Sequence, residues 1–268
     1  MTWVGERAGD LVQTINGCTA TLVVAHDSVV SRSSELEMSK KCIVATPRPR
    51  LVFSRLACAL LADHPNPGIH PTAVVHPNAT IAPTASVGPF TYVGNASIGD
   101  ATIVDGHVYI YDKVTIGKNC IIRSHCSIGA HGSGYEKDEN GTWIGFPQMG
   151  ATVLEDEVEV GANSYVARGA LGETRIKRGT KIGLSVCVGH NVYVGEHSMI
   201  LSNAVVGGSA LLGPRTWISI GAVLRNGIKL GAGCKVTMGA VVYKDAPEGS
   251  TIAGNPGREI SKALSGNV

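Results

Sequence analysis

The chain has 268 residues, 44% of them hydrophobic and only 5% aromatic, and a formal net charge of +2. That length carries one or two domains with a sizeable core, and a near-neutral balance without a basic run excludes an electrostatic case for nucleic-acid binding. No apolar stretch reaches the length of a membrane span, residues 1–7 lack the apolar core of a signal peptide, and seven cysteines without framework or CxxC spacing fit a reducing cytoplasm.

Residues 1–66 predict a small α/β domain. Thr21–Ala25 and Cys42–Ala45 read as short buried strands separated by a polar Ser/Glu/Lys segment. Pro49 to Asp63 reads as a helix with Leu51, Leu56, Leu60 and Leu61 on its apolar face. Such a cap has little room for an active site of its own. His64 to Gly68 is a turn-rich linker.

From Ile69 an aliphatic residue returns every sixth position, through Val75, Ile81, Val87 and Val93, and again from Ile98 to Ile128. Residues 131–150 interrupt the pattern with a polar, Gly-rich loop, which is either functional or a plain surface insertion. Units return at Leu154, Val160 and Val166. After a short excursion at 168–173 the period runs unbroken from Ile176 to Val242. Period six fits neither an amphipathic helix nor a simple alternating strand; it predicts a hexapeptide β-helix, mainly β, spanning 67–246. β-Branched residues suit its strands, and the 34 glycines, far above the average usage of about 7%, suit its turns. Three units make one coil, so residues eighteen apart stack about one strand spacing, ~4.8 Å, along the axis. Residues 247–268 read as a tail. Cys120, Cys126 and Cys234 fill small-residue positions, where packing explains them better than reactivity.

The chain has nine histidines. His64, His70 and His76 flank prolines and read as solvated, and His26 sits in the cap. His107 and His125 are eighteen apart and stack on one face. A solvated ladder accounts for the pair better than a metal site does, so no metal is assigned. His190 stands apart, because Gly189 leaves room for a ligand and Gly208 lies one coil further on. A general base with an exposed backbone N–H one strand spacing away is what acyl transfer to an amine needs. Cys187 shows no sign of activation as a nucleophile.

Gln148-Met149-Gly150, Val160-Gly161-Ala162-Asn163, Arg168-Gly169-Ala170-Leu171 and Gly189-His190-Asn191-Val192-Tyr193-Val194-Gly195 resemble the UDP-3-O-acylglucosamine N-acyltransferases of lipid A synthesis. Gly134-Tyr135, Gly141-Thr142-Trp143 and Pro147-Gln148 fit the same family in order and spacing. The resemblance covers roughly residues 40–245. It implies a left-handed parallel β-helix, a homotrimer with active sites between subunits, His190 as catalytic base and Gly208 as oxyanion donor. Tyr135, Trp143, Gln148, Asn163 and Arg168 become the candidate acceptor-side wall. The family's second histidine, in an Asn-Gly-His segment, is vacant here, where Arg225-Asn226-Gly227-Ile228 stands. Gly183 replaces an Asp, and the family's uridine-stacking aromatic residues and helical C-terminal extension find no counterpart. Val241-Val242-Tyr243-Lys244-Asp245 and Ala253-Gly254-Asn255-Pro256 resemble instead the end of acetyl-CoA-using hexapeptide enzymes. That likeness assigns Lys244 and Arg258 to the CoA phosphates; the alternative is that both are ordinary surface charges.

The expectation is a cytoplasmic homotrimeric N-acyltransferase without a bound cofactor. It moves acetyl or another short acyl group from acyl-CoA to the amine of a nucleotide-linked amino sugar. Long-chain transfer from acyl carrier protein in lipid A synthesis is the first alternative. A carbonic-anhydrase-like metal enzyme and a non-catalytic scaffold are the others.

Overall fold

The computed structural model describes residues 1–6, 9–61 and 65–260, and the chain divides into two compact units, Met1–His64 and Pro65–Val268. In the first unit three parallel strands, β1 (Thr2–Val4), β2 (Leu22–His26) and β3 (Cys42–Thr46), pair in that order. Helices α1 (Leu11–Gly17) and α2 (Pro49–Leu61) accompany them. Asp10 caps α1, accepting from the N–H of Val12 at 2.9 Å, because its carboxylate satisfies a donor the first turn leaves free. Val23, Val24 and Ala25 of the central strand are fully buried, as expected, whereas β3 is an edge strand and only half-buried. The predicted helix face is also only partly used: Leu60 and Leu61 are exposed. Sequence reading missed β1 and α1, whose short apolar runs carry too few residues to show a period. The part of the predicted helix at 62–63, and His64, lie outside the described residues.

The second unit is a left-handed parallel β-helix. Among the described residues its three faces hold eleven, nine and eight strands, most of them two residues long. Strand pairing follows the predicted offset: Cys187 pairs with Val205, and Val205 with Val223, each eighteen residues on. From Ser86–Val87 onward the second residue of each two-residue strand is buried. All twelve aliphatic residues of the unbroken run, from Ile176 to Val242, are buried. Each such side chain contributes on the order of 1.5–3 kcal/mol by leaving water. Cys120, Cys126 and Cys234 are buried among them, and burial pushes the Cys126 thiol up to about 11. They fill space and stay protonated.

The glycine after each aliphatic residue has a different reason from the one expected. At Gly189 the backbone is not left-handed; a Cβ there would lie 2.6 Å from Gly208 N of the next coil. The missing side chain lets coils approach, and the space is not available to a ligand. Left-handed backbone falls two residues later, on Asn191, Asn203 and Ser209, types that tolerate it through local polar contacts.

Two segments depart from simple coils. Residues 131–150 leave the helix as an antiparallel hairpin, Tyr135–Lys137 against Trp143–Gly145. The predicted tail is corrected over 251–260. Thr251–Ala253 pairs in parallel with Lys235–Val236 and so extends the solenoid, and Arg258–Ile260 returns antiparallel against it. Its period was invisible because the preceding turn and hairpin break the six-residue spacing.

Candidate active site

His190 lies in the turn after Cys187–Val188, at the corner between the nine-strand and eight-strand faces. Its ring is half-buried. Two contacts hold it. Gly208, one coil on, lies beneath the ring, and a Cβ on Gly208 would sit 2.7 Å from His190 Nε2. From the other side the inserted loop closes in, with Gly132 against His190 Cβ and Cδ2.

Asn191 decides the tautomer. Its Oδ1 accepts the Ala170 N–H at 3.0 Å and lies 3.1 Å from His190 Nδ1. A backbone N–H can bond only to the amide oxygen, which fixes the carboxamide orientation, and that oxygen can only accept. In the neutral ring Nδ1 therefore carries the proton and Nε2 the lone pair. A neutral imidazole with a free Nε2 is set up to remove a proton. Ala170 belongs to the excursion at 168–173, so the irregular segment positions the base. Sequence reading quoted Asn191 within the motif but gave it no role; its position directly after the histidine was the available signal.

The corner is a column. Strand pairing puts His190, Gly208 and Asn226 at equivalent places in successive coils, and the next turn brings Lys244 to the same corner. Lys244 and Arg258 together line a groove of about 580 Å³ with Tyr243, Pro256 and Gly257. Contrary to the expected exposed N–H, Gly208 N–H donates to Asn226 Oδ1 at 3.0 Å. An asparagine at the matching place one coil on reaches back along the column, which counting from the histidine alone did not reveal.

The expected acceptor wall is only partly assembled. Gln148 is buried, and its Oε1 lies 3.1 Å from the Cβ position of Gly132, the same position that approaches His190. That oxygen has no hydrogen-bond partner among the described residues. Tyr135 and Trp143 stand exposed on the hairpin, where Lys137 Nζ lies 4.8 Å over the Trp143 ring. Asn163 occupies the corner between the eleven-strand and nine-strand faces, together with Asn203 and away from the His190 corner of the same chain. Arg168 is a correction. Its guanidinium is buried, donating from Nε to Gly129 O at 2.7 Å and from Nη2 to Asp112 O at 3.0 Å. It ties the excursion to the coil before the insertion, which leaves little of it for a ligand.

The histidine ladder is present, His107 and His125 stacking with ring centroids 5.0 Å apart and Phe90 stacking on His107 at 5.1 Å. Among the described residues no three His, Cys, Asp or Glu side chains gather as a metal ion would need. Nor, among the described residues, is any helix long and apolar enough to cross a membrane. The first unit has more room than expected. A cavity of about 630 Å³ opens at the C-terminal ends of its strands, lined by Trp3, His26, Arg48, Arg50 and Ser54. Open parallel sheets take ligands at that end.

Residues 95–130 match the model of the bacterial transferase hexapeptide, six repeats. A UDP-3-O-acylglucosamine N-acyltransferase of Coxiella burnetii is 44% identical over 101 residues, which are 38% of this chain and 30% of that protein. One from Shewanella denitrificans is 36% identical over 141 residues, 53% of this chain and 41% of the relative. The matched parts thus span well under half of these relatives. Among solved structures, UDP-N-acetylglucosamine O-acyltransferase of Moraxella catarrhalis superposes with a TM-score of 0.68 at 25% identity, over 74% of this chain and 76% of that one. The Arabidopsis UDP-N-acetylglucosamine acyltransferase shares the fold at a TM-score of 0.63 and 20% identity, over 74% of this chain and 75% of its own. The chain thus carries a bacterial-transferase hexapeptide segment and is similar in sequence to UDP-3-O-acylglucosamine N-acyltransferases and in fold to UDP-N-acetylglucosamine acyltransferases.

Proposed function

We propose that the protein is an N-acyltransferase that moves acetyl or another short acyl group from acyl-CoA to the amine of a nucleotide-linked amino sugar. The observation that carries the reading is the Asn191 lock on His190, which leaves Nε2 as a free base at the open corner of the helix. As the amine attacks the thioester carbonyl, Nε2 takes its proton, and the thiolate departs without an acyl-enzyme. Gly208 serves by lacking a side chain, since any Cβ would displace the ring.

The column supports a CoA donor. Lys244 lies in the same corner, three coils from His190, and with Arg258 offers two cations to phosphates while the thioester lies at the base. Gln148 Oε1, buried and unpaired beside the base, is the member of the expected acceptor wall best placed to take part. In the first unit Trp3, Arg48 and Arg50 combine a π-face with cations, the chemistry a nucleoside phosphate requires. The cytoplasmic location expected from the cysteines goes with this reading.

A trimer is part of the proposal. The nine-strand face turns Tyr109, Tyr165, Cys187, Val205 and Val223 outward with no charge among them, whereas the other faces carry Lys181, Lys235, Arg175 and Lys229. A face so depleted of charge suits burial against further copies of the chain.

The second reading is long-chain N-acyl transfer from acyl carrier protein to UDP-3-O-acylglucosamine, and the names of the sequence relatives favour that acceptor. The experiment is thiol release from acetyl-CoA with a panel of UDP- and dTDP-linked amino sugars, with His190→Ala as control. Turnover with one sugar, lost in the variant, supports the proposal. Turnover only with hydroxyacyl carrier protein replaces it by the second reading, and silence with both donors sinks both.

A further inference from the structure

The Gly208 N–H, one coil from the base, already has a partner. It donates to Asn226 Oδ1 at 3.0 Å, and a Cβ on Gly207 would lie only 2.7 Å from that same oxygen, so the carboxamide is seated tightly against the coil. The backbone beneath Asn226 is held as well: Gly227 N–H donates to Gly208 O at 2.8 Å, and Arg225 donates from Nη1 to Asn226 O at 2.8 Å and from Nε to Tyr243 O. A backbone N–H accepts nothing, so the amide oxygen must face inward. The amide nitrogen then faces out, on an exposed residue, and among the described residues Nδ2 has no hydrogen-bond partner.

Resting on the acyl-transfer reading above, we propose that Asn226 Nδ2, rather than the Gly208 N–H, is the oxyanion donor of the site. Asn226 stands two coils from His190, roughly 9.6 Å along the axis at ~4.8 Å per strand spacing. Both side chains reach toward Gly208, His190 Nε2 to its Cβ position and Asn226 Oδ1 to its N–H, so base and carboxamide face the same stretch of the column. In the step, the amine nitrogen bonds to the thioester carbon and the carbonyl π pair moves onto oxygen. Nδ2–H holds the resulting O⁻, and the amine proton passes to His190 Nε2. When the C=O re-forms, the C–S bond breaks, and the thiolate takes the proton from the imidazolium to leave as thiol. Gly208 N–H polarises the amide through Oδ1, which makes Nδ2–H a better donor.

The test is steady-state kinetics of the full chain carrying Asn226→Ala, beside wild type and His190→Ala. Asn226 has ordinary backbone, so alanine fits, and the substitution uncovers the Gly208 N–H. A fall in kcat on the order of 10²-fold with little change in KM is expected. If kcat stays at the wild-type level or rises, the uncovered Gly208 N–H is the donor and the inference falls. It falls alone, because wild-type turnover and its loss in His190→Ala still support acyl transfer. A second measurement guards against a folding defect in the variant. In wild-type protein, a phosphonate analogue of the tetrahedral intermediate should shift the NMR signals of the Asn226 side-chain amide, and a response confined to the Gly208 backbone amide would overturn the assignment.

Discussion

Asn191 Oδ1 lies 3.1 Å from His190 Nδ1 while accepting the Ala170 N–H at 3.0 Å, so one side chain couples an irregular backbone segment to the protonation pattern of the base. We predict that Asn191→Ala lowers kcat by about 10²–10⁴-fold, the scale of an imidazole left in the wrong tautomer. Asn191→Asp keeps an acceptor oxygen and suits the left-handed backbone (φ 57°), and should retain most of the activity. An alanine variant with wild-type kcat would remove Asn191 from the mechanism.

Gly208 and His190 form the second testable pair. A Cβ at 208 meets Nε2 at 2.7 Å, so Gly208→Ala must displace the ring and should cost about 1–3 kcal/mol, read by chemical denaturation. In the His190→Ala background the same substitution meets no ring and should cost almost nothing. Equal costs in both backgrounds would show that the clash is not with the histidine.

Arg168 separates a structural role from a binding one. With its guanidinium replaced in Arg168→Leu, the carbonyls of Gly129 and Asp112 lose their donors, a loss of about 1–3 kcal/mol for each one left unsatisfied. The expected result is a lower melting temperature with an unchanged KM for the sugar in the folded fraction. Unchanged melting together with a raised KM would return Arg168 to the acceptor wall.

The charge-free face predicts its own disruption. Replacing Val205 and Val223 together by Lys puts two cations into the proposed subunit contact. Sedimentation should then report single chains where wild type sediments as three. Wild-type protein that sediments as single chains would refute the trimer outright.

Stability should fall in acid through Glu155. Burial raises the pKa of this carboxyl, but the Arg175 and Lys177 side chains at 2.9 and 3.1 Å and the Arg178 N–H at 3.2 Å outweigh that and hold it below its ordinary 4.5. A depressed folded-state pKa contributes stability above 4.5 that is lost as pH falls through the folded value. Glu155→Gln should therefore flatten the dependence of melting temperature on pH below about 4.5. An unchanged slope would show that the cluster is screened by solvent.

The register of the β-helix was legible because a six-residue period is a local property. Each unit must bury one aliphatic residue, so Ile176 to Val242 announce themselves one by one, and addition of eighteen gives the neighbours. The same arithmetic brought His190 over Gly208 and stacked His107 on His125. The sequence by itself therefore determined the repeat, the coil spacing and the identity of the candidate base.

What only the tertiary structure decided lies where the chain leaves that period. Arg168 and Ala170 sit in the excursion and residues 132–148 in the insertion, where no offset predicts a partner. Whether Arg168 faced a ligand or two carbonyls, and which atom fixed His190, depended on how that backbone folded back. Asn163 shows the reverse limit, since a motif residue close in sequence to Arg168 falls at another corner of the triangle. Hydrogen bonds depend on direction as well as on position, and a period supplies only position. For that reason the coil spacing located Gly208 but left it to the folded chain to show that Asn226 holds its N–H.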